Sequence, residues 1–227
     1  MSTQASESTF DTQIQLAKGI SDDSEKAKVL KHLLNNKNLT DQMFAGIANC
    51  VKTMYDSDEK AAVLKLIAKR SGLSSQQFRV SVTAINGISA DDDKADALKA
   101  FLIYEQHTVQ HLDVVLSATG TMYSGSDKAS VFLQMIRNRY LDARHFPSVL
   151  NGIKGISSDD DKSEVLCKLA PRLPKNDPNV RQAYLGAANS IYESSEKAAA
   201  TMAFADSSLP KGSQQQKGVF GHASNGE

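Results

Sequence analysis

Three histidines offer the most direct metal chemistry in this chain. His107 and His111 form H-x-x-x-H, and His145 stands 34 residues beyond His111. Imidazoles one helical turn apart can share a zinc ion. No Cys or Glu occupies a matching register, and each histidine has a structural duty instead. His107 takes a place filled elsewhere by Leu39 and Leu73, while His111 and His145 sit three residues into a helix. No metal is therefore expected. The acid runs Asp91–Asp93 and Asp159–Asp161 suggest calcium, but a calcium loop needs Gly at its sixth position and Glu at its twelfth. Counting from Asp91 gives Asp96 and Leu102, so that reading fails. Arg137, Arg139, Arg144 and His145, with Tyr140 among them, form the one local basic cluster. It is the candidate binding site, for an anion or an acidic partner segment. No nucleophile–base arrangement, phosphate loop or cofactor fingerprint stands in the sequence. The expectation is a protein that is not an enzyme, with no catalytic residue and no cofactor.

The elements that position these groups are repeats. Lys26, Lys60, Lys94, Lys128, Lys162 and Lys197 follow one another at intervals of 34, 34, 34, 34 and 35 residues. Each follows an acid. Fourteen residues later comes an expected helix N-cap at Thr40, Ser74, Thr108 and Asp142, and at Asp177 after a one-residue insertion, with Ser6 in the same register at the start. Leu39, Leu73 and Leu141 precede three of these caps, and Phe44, Phe78 and Phe146 follow four residues after them, the pattern of a hydrophobic staple. A second helix then opens at Asp22, Asp56, Ser124 or Ser158, with an acid three residues on that could return a bond to the cap. Ala90 and Glu193 break this pattern, leaving Ser89 and Ser194 as substitutes. The acid–lysine string predicts a charge ladder in which Lys of one unit meets the acids of the next.

A longer period overlies the first. Gly19, Gly87 and Gly155 close the first helix in odd units, where a left-handed residue is usual. Tyr55, Tyr123 and Tyr192 stand at that place in even units, and at Tyr55 and Tyr123, five residues before the lysine, its stem could pack on the ring. A helix pair cannot bury its apolar face alone, whereas stacked pairs can. The expected fold is all-α: a right-handed α-solenoid, HEAT- or TPR-like, of about six 34-residue helix pairs in three 68-residue double units. It would occupy residues 6–205, between a loose start at 1–5 and a flexible Ser-, Gly- and Gln-rich tail at 206–227. Cys50 and Cys167 lie in different helices more than three units apart and are not expected to pair.

The strings ISSDDDKSEVL at 156–166, ISADDDKADAL at 88–98 and ISDDSEKAKVL at 20–30 resemble the I-S-S-D-x-x-K-x-x-V-L helical repeats of bacterial proteins. Those repeats occur in regions attached to membrane metallopeptidases of the β-lactamase-regulator type, and in envelope proteins. The resemblance implies a bacterial helical-repeat module. It does not imply peptidase activity, since H-E-x-x-H is missing. With 26 basic and 26 acidic residues the net charge is zero, a poor basis for binding nucleic acid or anionic membrane. The expected function is a non-catalytic scaffold for protein–protein contact, a monomer that takes a protein or peptide on its concave face. The alternative is nucleic-acid or anionic-ligand binding along the Arg137–His145 edge. No membrane partner is expected. A cytoplasmic setting suits a complete chain, and the bacterial envelope suits a module of a larger one.

Overall fold

The computed structural model describes residues 2–206, with side chains from Ser8 onward. Among these residues there are thirteen α-helices and no strand. They fall into six pairs: α1 (Ser2–Lys18) with α2 (Asp23–Leu33), α3 (Asp41–Val51) with α4 (Ser57–Ala68), α5 (Ser75–Ile85) with α6 (Asp91–Phe101), α7 (Glu105–Gln110) and α8 (Leu112–Gly120) with α9 (Gly125–Met135), α10 (Phe146–Ile153) with α11 (Asp159–Leu169), and α12 (Pro178–Asn189) with α13 (Ser194–Asp206). First helices pack on first helices and second on second, each also touching its own partner. This two-layer stack is the α-solenoid arrangement, with one continuous apolar core between the layers. The core is aliphatic, with a few aromatic anchors such as Phe44, Phe78, Phe101, Phe132 and Tyr184.

The N-caps explain where most helices start. Thr40 accepts from the Met43 N–H, Ser74 from Gln77, and Asp177 from Asn179 and Val180. Leu39, Leu73 and Leu141 are buried, as are Phe44, Phe78 and Phe146. Three starts differ from expectation. Helix α1 already runs from Ser2, so Ser6 lies inside it and residues 2–5 belong to the helix. Thr108 is not a cap: α7 begins earlier, and the buried Thr108 hydroxyl donates to the Tyr104 carbonyl. After Asp142 the chain makes a turn held by His145 and Phe146 N–H bonds to its carbonyl, and α10 opens only at Phe146, with Pro147 in its first turn. The expected tail at 206–227 starts one residue late, since Asp206 still belongs to α13, and the rest of it lies outside the described residues.

The end glycines act differently from the expected left-handed closure. Gly72 alone among the described residues has positive φ. At Gly155 a Cβ would lie 3.2 Å from the Gly152 carbonyl oxygen, so the tight right-handed turn itself favours a residue without a side chain.

The second helices are capped as expected at Asp22, Asp56, Ser124 and Ser158. Ala90 makes no side-chain cap, and Ser89 does not replace it. Reciprocal bonds from a helix's own acid do not form at these starts. The cap amides are instead bound by the preceding unit. Asp23 accepts from Tyr55 and Asp56 N–H, Asp91 from Tyr123 and Ser124, and Asp159 from Tyr192 and Glu193. In unit two Ser57 does the same for Ser89 and Ala90. In unit four this place is Gly125, where a Cβ would stand 2.9 Å from Ser157 Oγ.

The lysines also reach forward, but not to acids of the next unit. Lys26 and Lys94 donate to the hydroxyls of Thr53 and Thr121. Lys60, Lys128 and Lys162 donate to the carbonyls of Gly87, Gly155 and Ser190, at 2.5, 2.8 and 3.0 Å. Each ammonium thus sits at the C-terminal end of the next first helix, the end its charge favours. Lys26 and Lys162 also have an acid in their own turn, 3.7 Å away at Asp23 and at Asp159. Lys26, Lys60, Lys94 and Lys162 are buried, and burial lowers the affinity of Lys60 and Lys94 for their proton. A third set of bonds runs backward at the far end of each pair. Arg70 binds the Leu34 and Asn36 carbonyls, Tyr104 those of Ala68 and Arg70, Asn138 that of Glu105, and Arg172 that of Asn138.

Candidate interaction edge

Two places in the stack answer to the site residues: the inter-helix turns and the loop after α9. At the turns, carboxylates of Asp23, Asp91 and Asp159 pin the backbone of the even units. Two backbone N–H groups bind one carboxylate oxygen in each case, which fixes the turn without using the following side chain. The Glu193 amide, despite some burial, holds the Asp159 carboxyl below the ordinary carboxylate range, with the Tyr192 amide and Lys162 assisting.

The residue pinned each time is tyrosine. Tyr55, Tyr123 and Tyr192 expose 88, 90 and 92% of their surface. Beside Tyr55 and Tyr123 the lysines are directed into the stack instead of against the ring, Lys60 to the Gly87 carbonyl and Lys128 to the Gly155 carbonyl. In odd units the same position holds Ser21, Ser89 and Ser157, and those turns form equally well. The fold does not need an aromatic ring here. A row of nearly bare rings, two repeats apart, lies along one edge. With helices about 8–10 Å apart, neighbouring rings are roughly 16–20 Å from each other.

The basic cluster is less open than its charge suggests. Arg139 pairs with Glu105 at 3.0 Å and lies over the Tyr140 ring, whose hydroxyl accepts from Gln106. Arg144 donates to Asp142 at 2.7 Å, and His145 is 2.9 Å from the same carboxylate. The Arg144 bonds hold the Asp142 carboxyl down to about 2. Among the described residues the Arg137 guanidinium reaches Gln134, at 3.5 Å. The structure therefore divides the cluster in two, Arg139 with Tyr140 and Arg144 with His145. Each half carries its own carboxylate. These carboxylates, rather than further cations, were the signal the linear sequence left unread.

The histidines are likewise occupied. His107 bonds the Leu73 carbonyl at 2.9 Å, and His111 meets Ser75 Oγ at 2.6 Å. Both rings pack on Phe78. Burial lowers the pKa of His111. The chain bends at His111, splitting the first helix of unit four into α7 and α8. Among the described residues no group of three His, Cys, Asp or Glu side chains is placed to hold a metal ion. No helix there is long and apolar enough to cross a membrane.

The class of protein defined by this geometry is an all-helical stack of paired repeats. No family model, curated protein or solved structure matches the chain.

Proposed function

We propose that the protein is a non-catalytic scaffold that binds another protein along its tyrosine edge. The single observation carrying this reading is the alternation of nearly bare tyrosine with serine at one structural position. A ring exposed three times where serine folds equally well has no internal role, and tyrosine is enriched at protein interfaces. Its backbone is already held, so little ordering entropy is lost on binding. The resemblance to bacterial helical repeats agrees with a scaffold. Anion binding along Arg137–His145 is the weaker reading, since Arg139 and Arg144 already face carboxylates.

A photo-crosslinking amino acid at Tyr123, compared with the same group at Ser89, tests the proposal in cells. A discrete protein adduct at 123, lost when Tyr55 and Tyr192 are both changed to Ser, is expected. The triple variant Tyr55→Ser, Tyr123→Ser, Tyr192→Ser should melt within about 2 °C of the parent, because surface changes of this kind are nearly neutral. Equal adducts at both positions, or a collapse of folding in the triple variant, would refute the reading.

A further inference from the structure

On the second-helix layer, away from the tyrosine edge, α4 and α6 enclose a groove of about 750 Å³ that extends to Lys31 of α2. Its floor is apolar. Leu66 is half-buried there, and Ile103 leaves 62% of its surface bare. Its rim is basic, formed by Lys31, Lys65, Lys69 and Arg70, and no carboxylate is among the side chains lining it. Lys31 and Lys65 do approach Glu59 and Asp96, at 3.0 and 4.0 Å, but those acids stand outside the groove. Lys69 is exposed and makes no ion pair among the described residues.

Two local details sharpen the sign of this surface. Helix C-termini expose carbonyls that repel anions. Here the ends of α2 and α4 are covered: Arg70 donates to the Leu34 and Asn36 carbonyls, and the Tyr104 hydroxyl to those of Ala68 and Arg70. The groove thus presents cations over an apolar floor with its competing oxygens already satisfied. The lysine column is also local. Lys31, Lys65 and Lys99 share a repeat register that becomes Leu133 in unit four and Cys167 in unit five, and of the three Lys99 lies outside the groove, paired with Asp96.

We propose that this groove binds an acidic amphipathic helix from a partner protein. The charge of the rim selects the acid, and the bare apolar floor selects a stripe of aliphatic side chains. A helix satisfies its own backbone groups, whereas an extended chain would leave them facing Leu66 and Ile103. Three neighbouring second helices span roughly 16–20 Å, the length of about 11–13 helical residues. The site adds to the scaffold reading and is separate from the tyrosine edge.

The test uses the full chain and a fluorescein-labelled helical peptide of about 12 residues, with Leu along one face and Glu on both flanks. Its anisotropy should rise on titration, and the affinity should fall with added salt. The same peptide with Lys for Glu should bind at least about tenfold more weakly. So should the double variant Lys65→Glu, Lys69→Glu, and Ile103→Glu should weaken the complex by a similar factor. Circular dichroism and melting of these surface variants verify that they fold. The triple serine variant of the tyrosine edge should bind this peptide as the parent does, so that loss of the tyrosine reading leaves this one standing. Equal affinity for the Glu and Lys peptides, or indifference to the groove substitutions, overturns the proposal. So does binding of dodecanoate through the same residues without binding of the peptide, which would make the groove a site for small amphipathic anions.

Discussion

Asp91→Ala removes one rung of the ladder that joins the third and fourth units. The carboxylate accepts from Tyr123 N–H at 2.6 Å and from Ser124 N–H at 2.7 Å. A hydrogen bond to a charged group contributes about 1.5–3 kcal/mol. Both amides lie at a surface turn and become open to water after truncation, so the low end applies, or roughly 3 kcal/mol for the pair. Loss of an acid in the first turn of α6 adds about 0.5 kcal/mol. Against this, Asp91 Oδ1 is buried without a hydrogen-bond partner, and removing it returns roughly 1 kcal/mol. The net cost is about 2.5 kcal/mol. For a chain of this size that lowers the melting temperature by roughly 5–10 °C. Asp91→Ser should recover about half of the loss, because Ser57 already serves two amides from the same position. Urea unfolding followed by circular dichroism measures both variants. Stability in a repeat stack is close to a sum of units and interfaces. The Ala variant should therefore also broaden the transition as the two halves uncouple. A change below about 0.5 kcal/mol for Ala, or no recovery with Ser, would mean that the rung is decoration and the apolar core alone sets the stacking.

Gly152→Ala should cost about 1–3 kcal/mol, since its Cβ would lie 2.8 Å from Phe132 Cζ, whereas Gly120→Ala meets nothing within 4 Å and should be neutral or slightly stabilising. Thermal melts of the two variants side by side decide this, and equal effects would contradict the packing described at Phe132. His111 has a folded pKa lowered by burial, so the unfolded chain takes up its proton first as the solution is acidified. Its contribution is complete above about pH 6.5 and declines as pH falls from there toward the folded value. His111→Gln should flatten that part of a stability–pH curve, and an unchanged slope would locate the titration elsewhere. Asp159 is lowered by the Glu193 amide, so its share of stability is present above about pH 4 and is lost as pH falls through its folded value. Asp159→Asn should make acid unfolding of the last two units less steep, as read by urea midpoints at pH 3 and pH 6. Tyr184 is fully buried and its hydroxyl donates to the Ala200 carbonyl at 2.8 Å, so Tyr184→Phe should cost about 1–2 kcal/mol.

Much of this architecture was legible from local pattern. Cap residues at Thr40, Ser74 and Asp177 act on amides two or three positions away, so their spacing carries their meaning. The same holds for the staple leucines and the 34-residue lysine register. Thr108 and Asp142 show where local logic stops. Around Thr108, Tyr104 is drawn to Ala68, His107 to Leu73 and His111 to Ser75, and these non-local bonds accompany the loss of the cap, while Asp142 is taken up by the local turn with His145 and Phe146.

Sequence alone determined that the chain is helical, that it is built from paired repeats, and that odd and even units differ at the inter-helix turn. Those properties depend on periodicity and on contacts within a few residues. Only the tertiary structure decided what the repeated charges do. Asp23, Asp91 and Asp159 serve backbone amides one unit ahead, and the lysines cap the ends of the next first helices, because stacking brings those groups within hydrogen-bond reach. It also decided which residues stay outside. Tyr55 and Tyr123 stand bare while Lys60 and Lys128 turn inward, and the basic groove exists because three second helices lie side by side.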